Sequence, residues 1–424
     1  MRSTRRAGSG RTTQVWQLSI AIGVGLLAVV LFFTLTQDRA PAIAASPPHD
    51  PSGLRQTPVI TLGVAAALTP PFDAVGRRQV NAVRLVISQT NAAGGVVIDG
   101  VSHTLVLVEA DSVCDATQAV IAANQLLGAG AVAVVGHTCS SASLTAQRLY
   151  NAAGVPMVSP SSSAVQLTEA GYTTTFRVYP REDAASARLA THFRQDLGIR
   201  TVGIVEPADS IIPPYIITAF VQVFTEQGGT ITSRQTLEAI HHITDVITYP
   251  VPETPDAVLY VDSLAADAGH VSHVAGNLGL GVVGWLGGDV ADLDDFAAAA
   301  GADAADSYIG LLGRTPDRMP GYDAFNAAYQ AAGFRDFGDE AGTAGAFAYD
   351  AAGIIIAAID RAGAVDSAAI AATTDYPGVV GTYRGFDTQG DVIPQWAWLE
   401  VFRDGEWVDQ GLTLYLPLVL NNAP

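Results

Sequence analysis

Beyond Val59 the chain alternates between short apolar runs and longer stretches that are apolar along one helical face. The run opening at Val59 predicts a strand. A helix follows from about Gly76, with Val80, Val83 and Ile87 on one face and Gly94 and Gly95 as its stop. Residues 104–109 predict the next strand, Asp115 caps a helix running through Leu127, and residues 131–135 predict a third strand. Residues 135–167 then hold two strand-to-helix crossings in succession. Each opens on hydroxyls: Ser140 and Ser141 after the first, Ser159, Ser161, Ser162 and Ser163 after the second. The alternation resumes with strands at 174–179, 201–205, 230–237, 257–261 and 282–286, and helices at 182–197, 213–228, 264–279 and 293–300. Helices dominate from Tyr322 to about Thr373, and residues 381–409 read as β-structure. Strand and helix in regular alternation predict parallel sheets covered by helices, here in two units, so the fold class is α/β.

The chain before Val59 has a different texture. Arg2, Arg5, Arg6 and Arg11 precede an apolar run over residues 15–36 that is long enough to cross a bilayer. The positive flank places residues 1–14 in the cytoplasm and the remainder outside. The expected arrangement is an uncleaved N-terminal transmembrane helix, with a proline-rich linker over 37–57 lifting the folded part off the membrane. The small residues Ala42, Ile43 and Ala44 leave a cleaved signal as the alternative.

At 424 residues the chain has room for about two domains. Its formal charge is −19, from 41 acidic and 22 basic residues, which argues against nucleic acid as a partner because phosphates need clustered cations. All 22 basic residues are arginine. Chemistry that requires a lysine, such as a phosphate-binding P-loop, a Schiff base or a pyridoxal enzyme, is therefore excluded. The two cysteines, Cys114 and Cys139, favour a disulfide in an exported chain, with a catalytic thiol as the alternative.

In a parallel sheet the strand ends carry the binding loops, and a helix N-terminus presents N–H groups to an anion. Two hydroxyl-rich loops on neighbouring strands suit a small carboxylate, which makes Ser140, Ser141, Ser161, Ser162 and Ser163 candidates. Helix capping is the plainer use of the same residues. Other motifs fall away. Gly279, Gly281 and Gly284 have the spacing of a dinucleotide fingerprint but follow a helix and enter a strand, the reverse of the required context. Asp267, His270 and His273 share helical spacing, yet a metal would need further ligands and a solvated helix face accounts for them; His241 and His242 lie in a loop-like stretch. There is no Gly-x-Ser-x-Gly elbow, and the adjacent Asp294 and Asp295 face different directions on a helix. No catalytic set, metal site or cofactor site assembles, and the expectation is binding without catalysis.

The chain from Val59 to Asp409 resembles the type I periplasmic binding proteins, in particular the leucine/isoleucine/valine-binding branch of amino-acid transport receptors. The residues that carry the resemblance are those from Asn91 to Gly95, Asp111 to Asp115 and Gly136 to Ser141. Residues 155–167 and 172–177 add to it, with Tyr349, Asp350 and Ala351, and the late set Gly385, Phe386, Asp387, Gly390 and Asp391. The resemblance implies two Rossmann-like lobes with parallel central sheets, joined by three crossovers, with a ligand in the cleft between them. Lobe one would comprise 57–180 and 313–381, lobe two 181–312 and 382–409, with 410–424 an apolar tail. Cys114 and Cys139 fall where that branch has a disulfide. Ser140 would hold a ligand α-carboxylate with its hydroxyl and backbone N–H, flanked by Ser141. Ser161 would offer its backbone, with Ser162 beside it in the candidate set, and Ser163, where the family usually has threonine, a hydroxyl near the ammonium. Asp289 stands where the family has a glutamate that pairs with the ammonium. The cavity tyrosines of the family are replaced: Val75 stands at one, Ile211 at the other, with Tyr215 nearby.

The function implied is extracytoplasmic capture of a small amino acid or related carboxylate by a monomer, with delivery to an ABC-type membrane permease and no cofactor. A tethered extracellular sensor of the same fold is one alternative, although residues 1–14 leave little room for a signalling domain. An extracytoplasmic α/β hydrolase is another, weakened by the missing nucleophile elbow.

Overall fold

The computed structural model describes residues 57–208, 212–237, 254–262, 264–287, 293–302, 304–335, 340–364 and 366–410. The expected membrane segment 15–36, the linker before Thr57, Ile211, His241, His242, Asp289 and the tail after Gln410 lie outside them.

The first lobe grows around β1 (Val59–Ala66). It continues through α1 (Asp73–Ala92), β2 (Val96–Ile98), β3 (Val101–Asp111), α2 (Ala116–Gly128), β4 (Ala133–Gly136), α3 (Ser140–Ala153), β5 (Met157–Ser159), α4 (Gln166–Glu169) and β6 (Thr175–Arg177). The strand order is β2-β3-β1-β4-β5-β6, parallel except for β2, which pairs antiparallel with β3. Because β3 lies on one side of β1 and β4 on the other, the chain reverses direction of travel across the sheet at β1. A crevice therefore opens beyond the carboxyl ends of β1 and β4. Helix α1 begins earlier than Gly76, and that glycine fixes its approach: a Cβ there would lie 1.8 Å from the Ala67 carbonyl oxygen. Asp115 caps α2 as expected, accepting from the Thr117 and Gln118 N–H groups. The Cys114–Cys139 disulfide is formed, with Cα atoms 5.2 Å apart.

The second lobe starts with α5 (Glu182–Thr191), prolonged by a π turn over His192–Asp196. Then come β7 (Thr201–Pro207), α6 (Pro214–Glu226), β8 (Thr230–Leu237), β9 (Ala257–Val261), α7 (Ala265–Asn277), β10 (Val282–Leu286), α8 (Leu293–Ala300) and β11 (Asp306–Leu312). The chain returns to the first lobe with α9 (Tyr322–Ala331), α10 (Gly342–Ala362) and α11 (Ser367–Ala371). Two small hairpins follow, β12 (Tyr376–Pro377) with β13 (Thr382–Tyr383) and β14 (Gly385–Phe386) with β15 (Val392–Ile393). Last come β16 (Ala397–Arg403) and β17 (Glu406–Asp409), which complete a seven-stranded second sheet in the order β17-β16-β11-β10-β9-β7-β8. Strands β7 to β11 are parallel and the last two antiparallel. Here the reversal falls at β7, flanked by β8 and β9, so the second lobe also opens a crevice at its carboxyl strand ends. His273 serves a helix contact, with Nδ1 3.1 Å from the Ala300 carbonyl.

Helix α10 is apolar almost throughout, and Phe347, Ile355 and Ile359 bury against β1 and α1 in one core with Leu62, Val80 and Val83. The expected division after Gly381 does not hold. Tyr383, Val392 and Trp396 belong to that same first-lobe core, with Trp396 edge-on to Tyr383 at 4.5 Å. The cause is long-range pairing: Asp391 accepts from the buried Arg177 of β6, which holds residues 382–396 on the first lobe. Only from Ala397, paired with Leu312 of β11, does the chain rejoin the second lobe.

Three segments therefore run between the lobes, around residues 178–181, 312–314 and 395–397. They are tied to one another: the Gly313 N–H donates to the Trp396 carbonyl at 3.0 Å, the Arg181 N–H to Gln395 Oε1 at 2.8 Å, and the Tyr179 hydroxyl to the Leu312 carbonyl at 3.4 Å.

Candidate functional site: the cleft between the lobes

The serine loops of the first lobe are built on a polar network that crosses the sheet's reversal point. Thr138, just after β4, accepts from the Ala67 N–H at 3.0 Å and donates to Gln79 Oε1 at 2.6 Å. Gln79, buried on α1, donates in turn to Ser161 Oγ at 2.8 Å, and Ser161 donates to the Thr138 carbonyl at 2.7 Å. Three loops, after β1, β4 and β5, are thus locked to one helix. The loop after β5 is held from below by Arg177, which is fully buried and donates to the Ala164 carbonyl at 2.7 Å, the Ser162 carbonyl at 3.3 Å and Thr168 Oγ1 at 2.7 Å. With so many donors to fixed acceptors, the loop is preorganised.

Between this loop and the second lobe lies a cavity of about 270 Å³. That is close to the lower end of the roughly 300–1,000 Å³ typical of small-molecule sites. Ser161, Ser163 and Tyr179 line it from the first lobe and the crossing segment. The opposite wall is mostly apolar, with Ile212, Pro213, Ile216, Leu286 and Leu311. Two polar side chains interrupt it, Glu182 and Ser186, one turn apart on α5. Helix α5 reaches the cleft because Gly310 of β11 leaves room beneath it, where a Cβ would meet the Ala185 carbonyl at 2.9 Å.

Glu182 is the cleft's described acid. One carboxylate oxygen, Oε2, accepts from the Ser163 hydroxyl at 3.4 Å, and the other is buried without a hydrogen-bond partner among the described residues. Burial pushes its pKa up to about 6; the Ser163 hydrogen bond and the charges of Arg177 and Arg181 oppose the rise, while Asp183 adds to it. Ser186 is fully buried, and its hydroxyl also lacks a partner.

The other sequence-predicted residues are spread more widely. Ser140 opens α3, where the N-cap residue Cys139 supplies no side-chain acceptor, and its Oγ accepts from the Ala164 N–H at 3.3 Å, joining the two serine loops. Ser141 is exposed and donates to the Cys114 carbonyl at 3.0 Å, so its hydroxyl serves the disulfide loop instead of the cleft. Ser162 is fully buried and bonds Ser143 at 2.7 Å, which turns it inward. Val75 is half-buried in the first turns of α1, and Tyr215 packs against the core around α6; neither is among the described residues that line this cavity. Gln79, Thr138, Glu182 and Ser186 were not singled out in the sequence. Thr138 stands between Gly136 and Ser140 in the stretch that drew attention, and Glu182 and Ser186 share an i, i+4 face that a helical projection would have paired.

The profile of the family described as periplasmic binding protein matches residues 59–406. An amino acid binding protein of Pseudomonas aeruginosa is 36% identical over 121 residues, 28% of this chain and 31% of that protein. The leucine-, isoleucine-, valine-, threonine-, and alanine-binding protein of the same organism is 25% identical over 318 residues, 73% of this chain and 80% of that protein. The chain spans about a third of the length of the first curated relatives it matches. Among solved structures, an ABC transporter substrate-binding protein from Desulfitobacterium hafniense superposes with a TM-score of 0.64 at 25% identity, covering 82% of this chain and 99% of that one.

Proposed function

The chain belongs to the type I periplasmic binding protein family, and on that premise we propose that its cleft captures a small aliphatic amino acid outside the cytoplasm and delivers it to an ABC-type permease. The observation that carries this reading is the division of labour across the cleft. The Ser161 and Ser163 hydroxyls lie on the first lobe, and apolar side chains with one carboxylate and the Ser186 hydroxyl on the second. An amino acid has a matching division: a carboxylate for the Ser140 and Ser161 loops, and an aliphatic side chain for Ile212, Ile216 and Leu286. The relative from Pseudomonas aeruginosa named for leucine, isoleucine, valine, threonine and alanine points to the same class of ligand. Asp289 enters as a lobe-two acid on the strength of the family pattern. Residues 15–36 would anchor the protein, as a monomer, to the outer face of the cytoplasmic membrane.

Ligand contacts made by both lobes favour the closed arrangement over the open one, which is how occupancy is signalled to a permease. Because a ligand that binds only the folded state raises stability by about 2.7 kcal/mol at a hundredfold excess over Kd, thermal melts with each common amino acid in turn test the reading. It predicts a rise of a few degrees with one or more aliphatic amino acids. Unchanged melts with all of them contradict it.

A further inference from the structure

We infer that Glu182 and Ser186 form the second lobe's seat for the ligand's protonated amine, so that α5 sets the requirement for a cationic group. This rests on the amino-acid reading of the cleft. Both side chains line the cavity, and each has a buried oxygen with no hydrogen-bond partner among the described residues. A buried acceptor left unmatched carries a free-energy penalty that a donor from the ligand removes. An ammonium offers three N–H donors, enough for the free Glu182 oxygen and the Ser186 hydroxyl together. The two nearby arginines are committed elsewhere. Arg181 donates to Asp183 at 2.7 Å and to Glu169 at 2.8 Å, and Arg177 is committed to Asp391 and the serine-loop carbonyls. Ser163 spans the gap between the lobes through its hydrogen bond to Glu182. The amine would therefore sit where the first-lobe loop meets α5, with the carboxylate toward Ser161.

The same geometry makes binding pH-dependent. Burial holds Glu182 at about pKa 6, whereas an ammonium beside it would favour the ionised form and expel the proton. The charged groups that act on it are Arg177 from β6, Arg181 from the crossing segment and Asp183 on its own helix. Asp183 is itself held by Arg181 at 2.7 Å, and Glu182 is the acid of this set whose burial in the cleft pushes its pKa up to about 6.

The test uses calorimetric titration of the whole protein with the amino acid that stabilises it most in the melts. Glu182→Gln should weaken binding about tenfold or more at pH 7.5. Wild-type affinity should fall about tenfold from pH 7.5 to 5, and the variant's should stay flat. Should Glu182→Gln fold poorly, the wild type still decides: titration at pH 6 in buffers of different ionisation enthalpy should show proton release on binding. Wild-type-like affinity in Glu182→Gln, or no proton release at pH 6, overturns the assignment while leaving the amino-acid reading standing. A wild type that binds no amino acid at either pH overturns both.

Discussion

Asp350 shows how a single side chain can organise a whole turn of backbone. It is fully buried on α10, where Oδ1 accepts from the Val379 N–H at 2.7 Å and Oδ2 from the Val380 N–H at 3.0 Å and the Tyr383 hydroxyl at 2.8 Å. These bonds hold the turn between β12 and β13 against α10 in the first lobe. Burial pushes the Asp350 pKa up to about 7 from an ordinary 3.8, more than those three bonds can pull it down. A carboxyl raised on folding favours the folded state most fully below its unfolded pKa, and that contribution is lost as pH rises through the folded value. Asp350→Ala strands two backbone donors, and each costs about 1–3 kcal/mol when left buried. Urea unfolding should therefore show the variant less stable than the wild type. The gap should be wider at pH 4.5 than at pH 7.5; a gap that widens with pH would contradict the assignment.

Among the elements, α3 and the loop after β3 depend most on a single link. The disulfide between Cys114 and Cys139 spans 25 residues, which include β4 and all of α2, and it fixes the start of α3 beside Ser140. In the chain-entropy picture a loop of that size is worth about 3 kcal/mol. A Cys114→Ser, Cys139→Ser double variant is expected to lose about that much in urea unfolding, and added reductant should then change nothing further. Elements such as these were legible in the sequence because parallel strands and their helices carry strong local signals, namely apolar runs, Asp115 as a cap and glycine stops. Residues 382–396 were not legible in the same way. Their apolar positions, Tyr383, Phe386, Val392 and Trp396, follow no fixed period, and the pairing that places them, Asp391 with Arg177, joins residues 214 positions apart. Glu182 was hidden for another reason. An acid in the first turn of a helix is an ordinary response to the helix dipole, and only the burial of almost all of α5 shows that this one faces a cleft.

On the scale of the whole molecule, two sheets each reverse at one strand, β1 in the first and β7 in the second, and the cleft lies between the lobes they form. The three connecting segments are short and hydrogen-bonded to one another, which suits a hinge that bends without letting the lobes separate. A ligand can shift such an equilibrium only by its difference in affinity for the open and closed states. The Ser140 and Ser161 loops alone would bind a carboxylate equally well in either state. In the proposed reading, second-lobe contacts with the amine and the side chain would supply the difference, so a ligand lacking either charged end should bind poorly. The most direct measurement is calorimetric titration with three compounds: the aliphatic amino acid that gives the largest melt shift, its amide, and its N-acetyl derivative. The account predicts saturable binding at one site for the free amino acid, with affinity reduced at least about tenfold for each derivative, the equivalent of losing one charge-assisted hydrogen bond. Equal affinity for all three, or binding of none, would contradict it.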